Sequence, residues 1–261
     1  MERMTFARML QTSKSFVSDD EYERALNRRE RQEPREGIEC DTCGNWEFVW
    51  VVQDGERMTR ECACKTKRNN FARIRASGLK NMLNRHTFKN FETKESWQKA
   101  AKETVLRFCK DENRGWMLMS GQPGCGKTHL CTAAAGKFMQ DGLDTRYMRW
   151  VDESTTLKAC VTDESEYKRI LDPLKTCKVL YIDDFWKTQR GKDPTPADVK
   201  LAFDLLDYRY CNPGLITIIS TERTIQQLLD IDPAVGSRIY ERTKGYLLEF
   251  GYSSDKNWRL K

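Results

Sequence analysis

A chain of 261 residues, 39% of them hydrophobic, is long enough for one sizeable α/β core with a smaller appended module. The formal net charge of +6 and a charged fraction of 32% give a well-solvated surface whose mild basic excess suits a polyanionic partner without requiring one. Ten cysteines would fit a secreted disulfide framework, but the start MERMTFARMLQTSK breaks every apolar run with charge and no stretch reaches membrane-spanning length, so a cytoplasmic protein with reduced thiols and no membrane partner is expected.

Residues 1–37 read as a charged helical arm closed by Pro34 and Gly37, either a solvated terminus or a docking segment for another protein. A compact module over 38–66 follows. Cys40 and Cys43 form a C-x-x-C knuckle, and Cys62 and Cys64 form a C-x-C pair after WEFVWVVQDGERMTRE. Alternating apolar residues from Trp46 to Val52, a turn at Gln53-Asp54-Gly55 and a return strand would bring both pairs to one tetrahedral zinc site. Four thiolates leave no open position, so the expected zinc is structural and supplies the folding free energy of a module with little core. The remaining cysteines, Cys109, Cys125, Cys131, Cys160, Cys177 and Cys211, are dispersed and read as buried small hydrophobes.

The stretch from Lys65 to Lys89, most of it a basic linker over 67–92, carries Lys65, Lys67, Arg68, Arg73, Arg75, Lys80, Arg85 and Lys89 without one acidic residue. With Phe71 and Phe88 it could bind single-stranded DNA through phosphates and stacking; a solvated linker helix fits equally well. Over 93–261 helices and apolar strands alternate. The expected elements are a helix over 97–111, strands over 116–120, 145–150, 179–183, 215–220 and 246–250, and helices over 129–139 and from Thr195-Pro196 to Tyr210. Alternation of this kind argues a parallel sheet wrapped by helices.

GQPGCGKT is a full G-x-x-x-x-G-K-[ST] phosphate loop between an apolar strand and a helix. Its residues Gly121, Gln122, Pro123, Gly124, Cys125, Gly126, Lys127 and Thr128, with His129 opening the helix, are the expected ATP-binding set. Lys127 would reach the β- and γ-phosphates, and the Thr128 hydroxyl would ligate magnesium. Asp183, at the tip of VLYIDDF, would hold magnesium through its water shell, and Asp184 would orient the attacking water. Ser220, Thr221 and Glu222 close the next strand, where a polar group such as Thr221 can sense the γ-phosphate.

GQPGCGKTHL, the Asp183-Asp184 strand end, the Ser220-Thr221-Glu222 tip and GSRIYER at 236–242 together resemble AAA+ ATPases of the initiator and helicase-loader group. Within it the likeness is to the DnaC/DnaI replicative helicase loaders, with IstB-type transposition ATPases as near relatives. HTFKNF, His86 to Phe91, is similar to the family's Phe-rich approach to the adenine pocket. The resemblance implies a five-stranded parallel sheet of order 5-1-4-3-2, ATP and Mg2+ as ligands, side-by-side self-association, and a ring-shaped hexameric helicase of the DnaB type and single-stranded DNA as partners. Asp184 stands where most members carry Glu, and Glu222 where Asn is commoner, which implies weak hydrolysis stimulated by an oligomer or partner. After the fifth strand, GYSSDKNWRLK is too short for the helical lid many members carry, so Arg238 or Arg242 is the expected arginine finger, supplied to a neighbouring site. Three functions fit: a helicase loader, an IstB-type transposition ATPase, and a non-hydrolysing zinc- and nucleotide-binding adaptor.

Overall fold

The computed structural model describes residues 18–53, 56–76, 80–188 and 192–258. The chain divides into two compact units, Met1–Ala76 and Ser77–Lys261, so the division falls inside the basic stretch.

In the first unit β1 (Phe48–Gln53) pairs antiparallel with β2 (Glu56–Glu61), in a register running from Phe48↔Glu61 to Gln53↔Glu56. Asp54 and Gly55 of the expected turn lie outside the described residues, as does the arm before Ser18. A two-stranded ribbon leaves the outer backbone groups of each strand unpaired. On β1 they are met by side chains from α1 (Asp19–Asn27) and the residues after it. The Asn27 amide donates to the Trp50 carbonyl at 2.9 Å and accepts from the Trp50 N–H at 2.9 Å, as a strand residue would. Glu23 accepts from the Val52 N–H at 2.6 Å, and Arg29 donates to the Phe48 carbonyl at 2.9 Å. The helical part of the arm is therefore not a free, solvated segment: through Glu23, Asn27 and the following Arg29 it docks on the chain's own hairpin. Ser18 starts α1 through a capping box with Glu21. Beyond the hairpin runs α2 (Ala63–Ala76), the helical form of the first half of the basic stretch.

The second unit contains α3 (Lys80–Arg85), α4 (Ser96–Lys110), β3 (Met117–Gly121), α5 (Lys127–Gln140), β4 (Thr145–Arg149), α6 (Trp150–Ala159), α7 (Glu164–Thr176), β5 (Val179–Asp183), α8 (Pro196–Tyr210), β6 (Ile216–Thr221), α9 (Ile225–Ile231), α10 (Pro233–Arg242) and β7 (Leu247–Phe250). Its strands lie in the order β4-β5-β6-β3-β7, every pair parallel. Counted from β3 as the first and read from the β7 edge, this is the 5-1-4-3-2 order that the resemblance implied.

Period-two alternation sends side chains to both faces. Met117, Met119, Val179, Tyr181, Ile216 and Ile218 pack with Val105, Phe108, Leu130 and Phe138 of α4 and α5. Leu118, Leu180, Ile182 and Ile219 pack with Leu157, Leu171, Leu205 and Ile239 of α6, α7, α8 and α10. Cover on both sides is why these strands are apolar at nearly every position. Sequence reading did not resolve α6 and α7: Trp150 extends the apolar run of β4 but begins a helix, and Pro173 lies inside the last turns of α7. The fully buried Arg209 closes that helix end by donating to the carbonyls of Leu174 at 2.9 Å, Lys175 at 2.9 Å and Cys177 at 3.0 Å. Among the other cysteines Cys211 is exposed and Cys160 half-buried, so those two are not core residues. Among the described residues no helix is long and apolar enough to cross a membrane.

Candidate nucleotide site and cysteine cluster

The phosphate loop joins the end of β3 to the start of α5, at the carboxyl edge of the parallel sheet. Gly121 has φ 137° and Gly126 φ 90°, conformations that disfavour a Cβ. A Cβ at Gly121 would stand 2.6 Å from the Phe250 carbonyl oxygen, and one at Gly126 2.8 Å from the Phe91 ring. Lys127 is 6% exposed, and its ammonium donates to the Gly121 carbonyl at 2.7 Å and the Gln122 carbonyl at 2.9 Å. The cation is thus held inside the loop by carbonyl oxygens, beside the first N–H groups of α5, an arrangement suited to phosphate oxygens. Cys125 is buried with its Sγ 3.9 Å from that ammonium, and burial pushes its thiol up. Pro123 is exposed.

One feature of the loop carried no sequence signal. The Gln122 side chain exchanges hydrogen bonds with Ser253, 2.7 Å in each direction, and the Trp258 N–H donates to the Gly124 carbonyl at 3.1 Å. The segment after β7 is seated on the loop.

At the tip of β5, Asp183 is 5% exposed and receives three hydroxyls. Thr128 Oγ1 donates to its Oδ1 at 3.2 Å, Tyr147 OH to its Oδ2 at 3.1 Å, and Ser220 Oγ makes a short bond to Oδ1. Burial, then the Asp183 charge, pushes the Tyr147 phenol well above its ordinary value. Thr128 and Asp183, the pair expected at magnesium, therefore touch. Asp184 has φ 54° and pairs through Oδ2 with Lys187 at 3.2 Å; Lys187 also pairs with Glu222 at 3.0 Å. Thr221 faces elsewhere. Its hydroxyl is fully buried, donating to the Phe185 carbonyl at 2.8 Å and accepting from the Arg223 N–H at 3.1 Å, so the strand-tip hydroxyl beside Asp183 is that of Ser220.

His129, in the first turn of α5, lies against His86 with ring centroids 4.8 Å apart and meets the Thr87 carbonyl at 2.8 Å and the Phe91 ring edge-on at 5.2 Å. The lead-in segment is thereby tied to the phosphate-loop helix. Burial lowers both imidazoles; the neighbouring ring lowers His86 further. Neither expected arginine finger reaches this chain's own loop. Arg238 is held by Asp207 at 2.8 Å and lies over the rings of Phe203 and Tyr210 at 4.9 Å and 5.4 Å. Arg242 donates to the Pro213 carbonyl at 2.9 Å and lies 5.9 Å over Trp116, which precedes β3, whereas the phosphate loop follows it.

In the first unit the four cysteines converge, their sulfurs all within 4.8 Å of one another. Cys40 and Cys62 are 3.6 Å apart, and Cys43 and Cys64 3.4 Å. Sulfurs of a tetrahedral divalent site with bonds of about 2.3 Å stand about 3.8 Å apart, so the donor set fits such an ion. Burial works to raise the Cys40 thiol, but hydrogen bonds from the Cys43 backbone and neighbouring thiols draw it down to about 7. Burial and bonds to its neighbours push Cys64 well up, because thiols this close cannot all ionise without a cation. Gly44 and Asn45, with φ 58° and 71°, turn the chain after Cys43, and Asn45 Oδ1 accepts from the Cys40 N–H at 2.8 Å. Arg68, one turn beyond Cys64 on α2, is fully buried. It donates to the Ile38 carbonyl at 2.6 Å, the Asn45 carbonyl at 3.0 Å, Asn45 Oδ1 at 2.8 Å and Glu47 Oε1 at 3.3 Å. One of the cations of the acid-free stretch by sequence, it is buried as the pin of the cysteine knuckle. Lys65 pairs with Glu61, while the side chains of Arg73, Arg75 and Lys80 lie outside the described residues.

The sheet order, the phosphate loop and the two acids at the tip of the third sheet strand in sequence define an AAA+ ATPase. The model of the IstB-like ATP binding protein family matches residues 41–242, and the chain belongs to that family. It is 33% identical over 234 residues to the phage-like element PBSX protein XkdC of Bacillus subtilis, covering 85% of this chain and 86% of that one. It is 25% identical over 144 residues to the replicative helicase loader DnaC of Buchnera aphidicola, covering 52% of this chain and 58% of that one. The crystal structure of the DnaC helicase loader superposes with a TM-score of 0.53 at 22% identity, over 65% of this chain and 98% of that one, a likeness of fold.

Proposed function

We propose that this protein is an ATP-driven loader that delivers a ring-shaped hexameric replicative helicase of the DnaB type onto single-stranded DNA in the cytoplasm of a bacterium. The observation that carries the reading is the pairing of an ATPase core similar in sequence to a replicative helicase loader with a separate cysteine unit ahead of it. Zn2+ in the Cys40, Cys43, Cys62 and Cys64 cluster would hold that unit together. Thr128 and Asp183 would hold Mg2+, which would supply positive charge toward the phosphates, and Lys127 inside the loop would neutralise them further. Slow turnover fits Asp184 in place of a longer Glu. Arg238, half-buried on α10 and paired with Asp207, or Arg242 would complete a neighbour's site in a self-associated assembly. Lys65, Lys67, Arg73 and Arg75 would meet DNA phosphates.

A pull-down with the host replicative helicase, with and without ATP, tests the reading. Nucleotide-dependent capture of the hexamer supports it. The family match favours a second reading, a transposition ATPase of the IstB type, and capture of a transposase with no helicase would favour that instead.

A further inference from the structure

At the tip of β5 the two acids are unequally committed. Asp183 has both oxygens occupied by the hydroxyls of Thr128, Ser220 and Tyr147. Asp184 is aimed by a left-handed backbone, φ 54°, with its N–H bonded to Ser220 Oγ at 3.2 Å. Among the described residues its carboxylate forms an ion pair through Oδ2, which receives the Lys187 ammonium at 3.2 Å. The same ammonium reaches Glu222 Oε1, just past the end of β6, at 3.0 Å. Lys187 is itself fixed: its N–H donates to the Asp184 carbonyl at 3.0 Å, and the carbonyl of the buried Trp186 before it accepts from Arg223 Nε at 3.1 Å.

We infer that Lys187 is a positioning residue for ATP hydrolysis, a cation supplied by the chain itself that braces Asp184 against Glu222. With Oδ2 taken by the ammonium, Oδ1 of Asp184 is left to accept a hydrogen bond from the attacking water. The water oxygen bonds to the γ-phosphorus, its proton passes to Asp184 or a phosphate oxygen, and the bridging bond breaks with its electron pair leaving on ADP. Lys187 also offsets the like charge that Asp184 and Glu222 would otherwise place together beside the γ-phosphate. Burial works to lower the lysine, and the bond to Glu222 with the charge of Asp184 outweighs it, so the ammonium stays charged. Side chains 40% exposed on Lys187 and 34% on Glu222 make a pair of little weight for stability, so its consequence should be confined to turnover.

The inference rests on the ATPase reading, and the test separates the two. In the full-length protein Lys187→Met should lower kcat about tenfold or more while ATP affinity stays within about twofold. Lys187→Arg should keep most of the rate, Glu222→Gln should lose less than Lys187→Met, and Lys187→Met should cost nothing further in an Asp184→Asn background. Without nucleotide, trace acetylation of Lys187 read by mass spectrometry should rise in Asp184→Asn and in Glu222→Gln. Unchanged or faster turnover in Lys187→Met, or an additive loss in the Asp184→Asn background, would overturn the inference. Wild-type protein no more active than Lys127→Ala would overturn the ATPase reading itself and this inference with it.

Discussion

The cysteine unit and the ATPase unit solve the same problem with different means. The larger unit buries two apolar layers, one on each face of its sheet, and its functional side chains sit at the sheet's edge, outside both. In the smaller unit the buried hydrophobic cluster among the described residues is Cys43, Cys62 and Cys64, with Cys40 and Val49 packed against it. Polar side chains take over what a wider sheet and a core do elsewhere: Asn27 pairs the edge of β1, Asn45 ties the knuckle, and Arg68 gathers the carbonyls of Ile38 and Asn45. Where there is so little apolar area to bury, fold and ligand set become one object, and removing the ligand removes the fold. A unit with a full core can instead lose any one functional side chain and remain folded.

The sharpest way to break this contrast is to withhold the metal proposed for the cysteine cluster. Strong chelation, or Cys40→Ser, should abolish the folded first unit altogether while the second unit keeps its own thermal transition. Proteolysis should then attack residues before Ala76 and spare those after it; a shared loss of both transitions would contradict separate units. The converse experiment is Phe138→Ala in the second layer, where truncating a fully buried aromatic should cost about 3–5 kcal/mol. Calorimetry should show that loss in the second transition, with metal content unchanged by elemental analysis.

Arg68→Met should be the next largest effect, about 2–4 kcal/mol, because it strands buried carbonyls that the guanidinium satisfies. Its readout is a lower first transition and weaker metal retention, with ATP affinity untouched. The smallest effect is a pH dependence confined to the second unit. His86 and His129 are held below their ordinary value of 6.5 chiefly by burial. The folded state therefore favours the neutral rings, and their contribution is present above 6.5 and lost as pH falls through the lowered folded values. The second transition should drop as pH falls below 6.5, and the His86→Gln/His129→Gln variant should flatten that slope.

Much of this was legible in the chain because its signals are local. The phosphate loop, the strand ending in Asp183 and Asp184, and the cysteine spacings are each written within a few residues. What escaped depends on residues far apart in sequence. Arg68 looks like one more cation in an acid-free run, and only the return of α2 beneath the knuckle buries it. Pro173 reads as a helix breaker, yet α7 runs past it and is closed by Arg209 from α8. The strand-tip hydroxyl follows from alternation along β6, which puts Ser220 on the face of Ile218, where the phosphate-loop helix packs, and Thr221 on the face of Ile219. Lys187 gave no signal in sequence, since its meaning comes from the adjacency of β5 and β6.

Binding of a fluorescent ATP analogue in the presence of magnesium, measured on wild-type, Lys127→Ala and Cys40→Ser proteins, bears most directly on the assignment of nucleotide binding to the larger unit alone. Lys127→Ala should stay folded and lose binding, because the buried ammonium is the loop's own cation, while Cys40→Ser should bind as wild type does. Undiminished binding by folded Lys127→Ala, or loss of binding in Cys40→Ser, would contradict it.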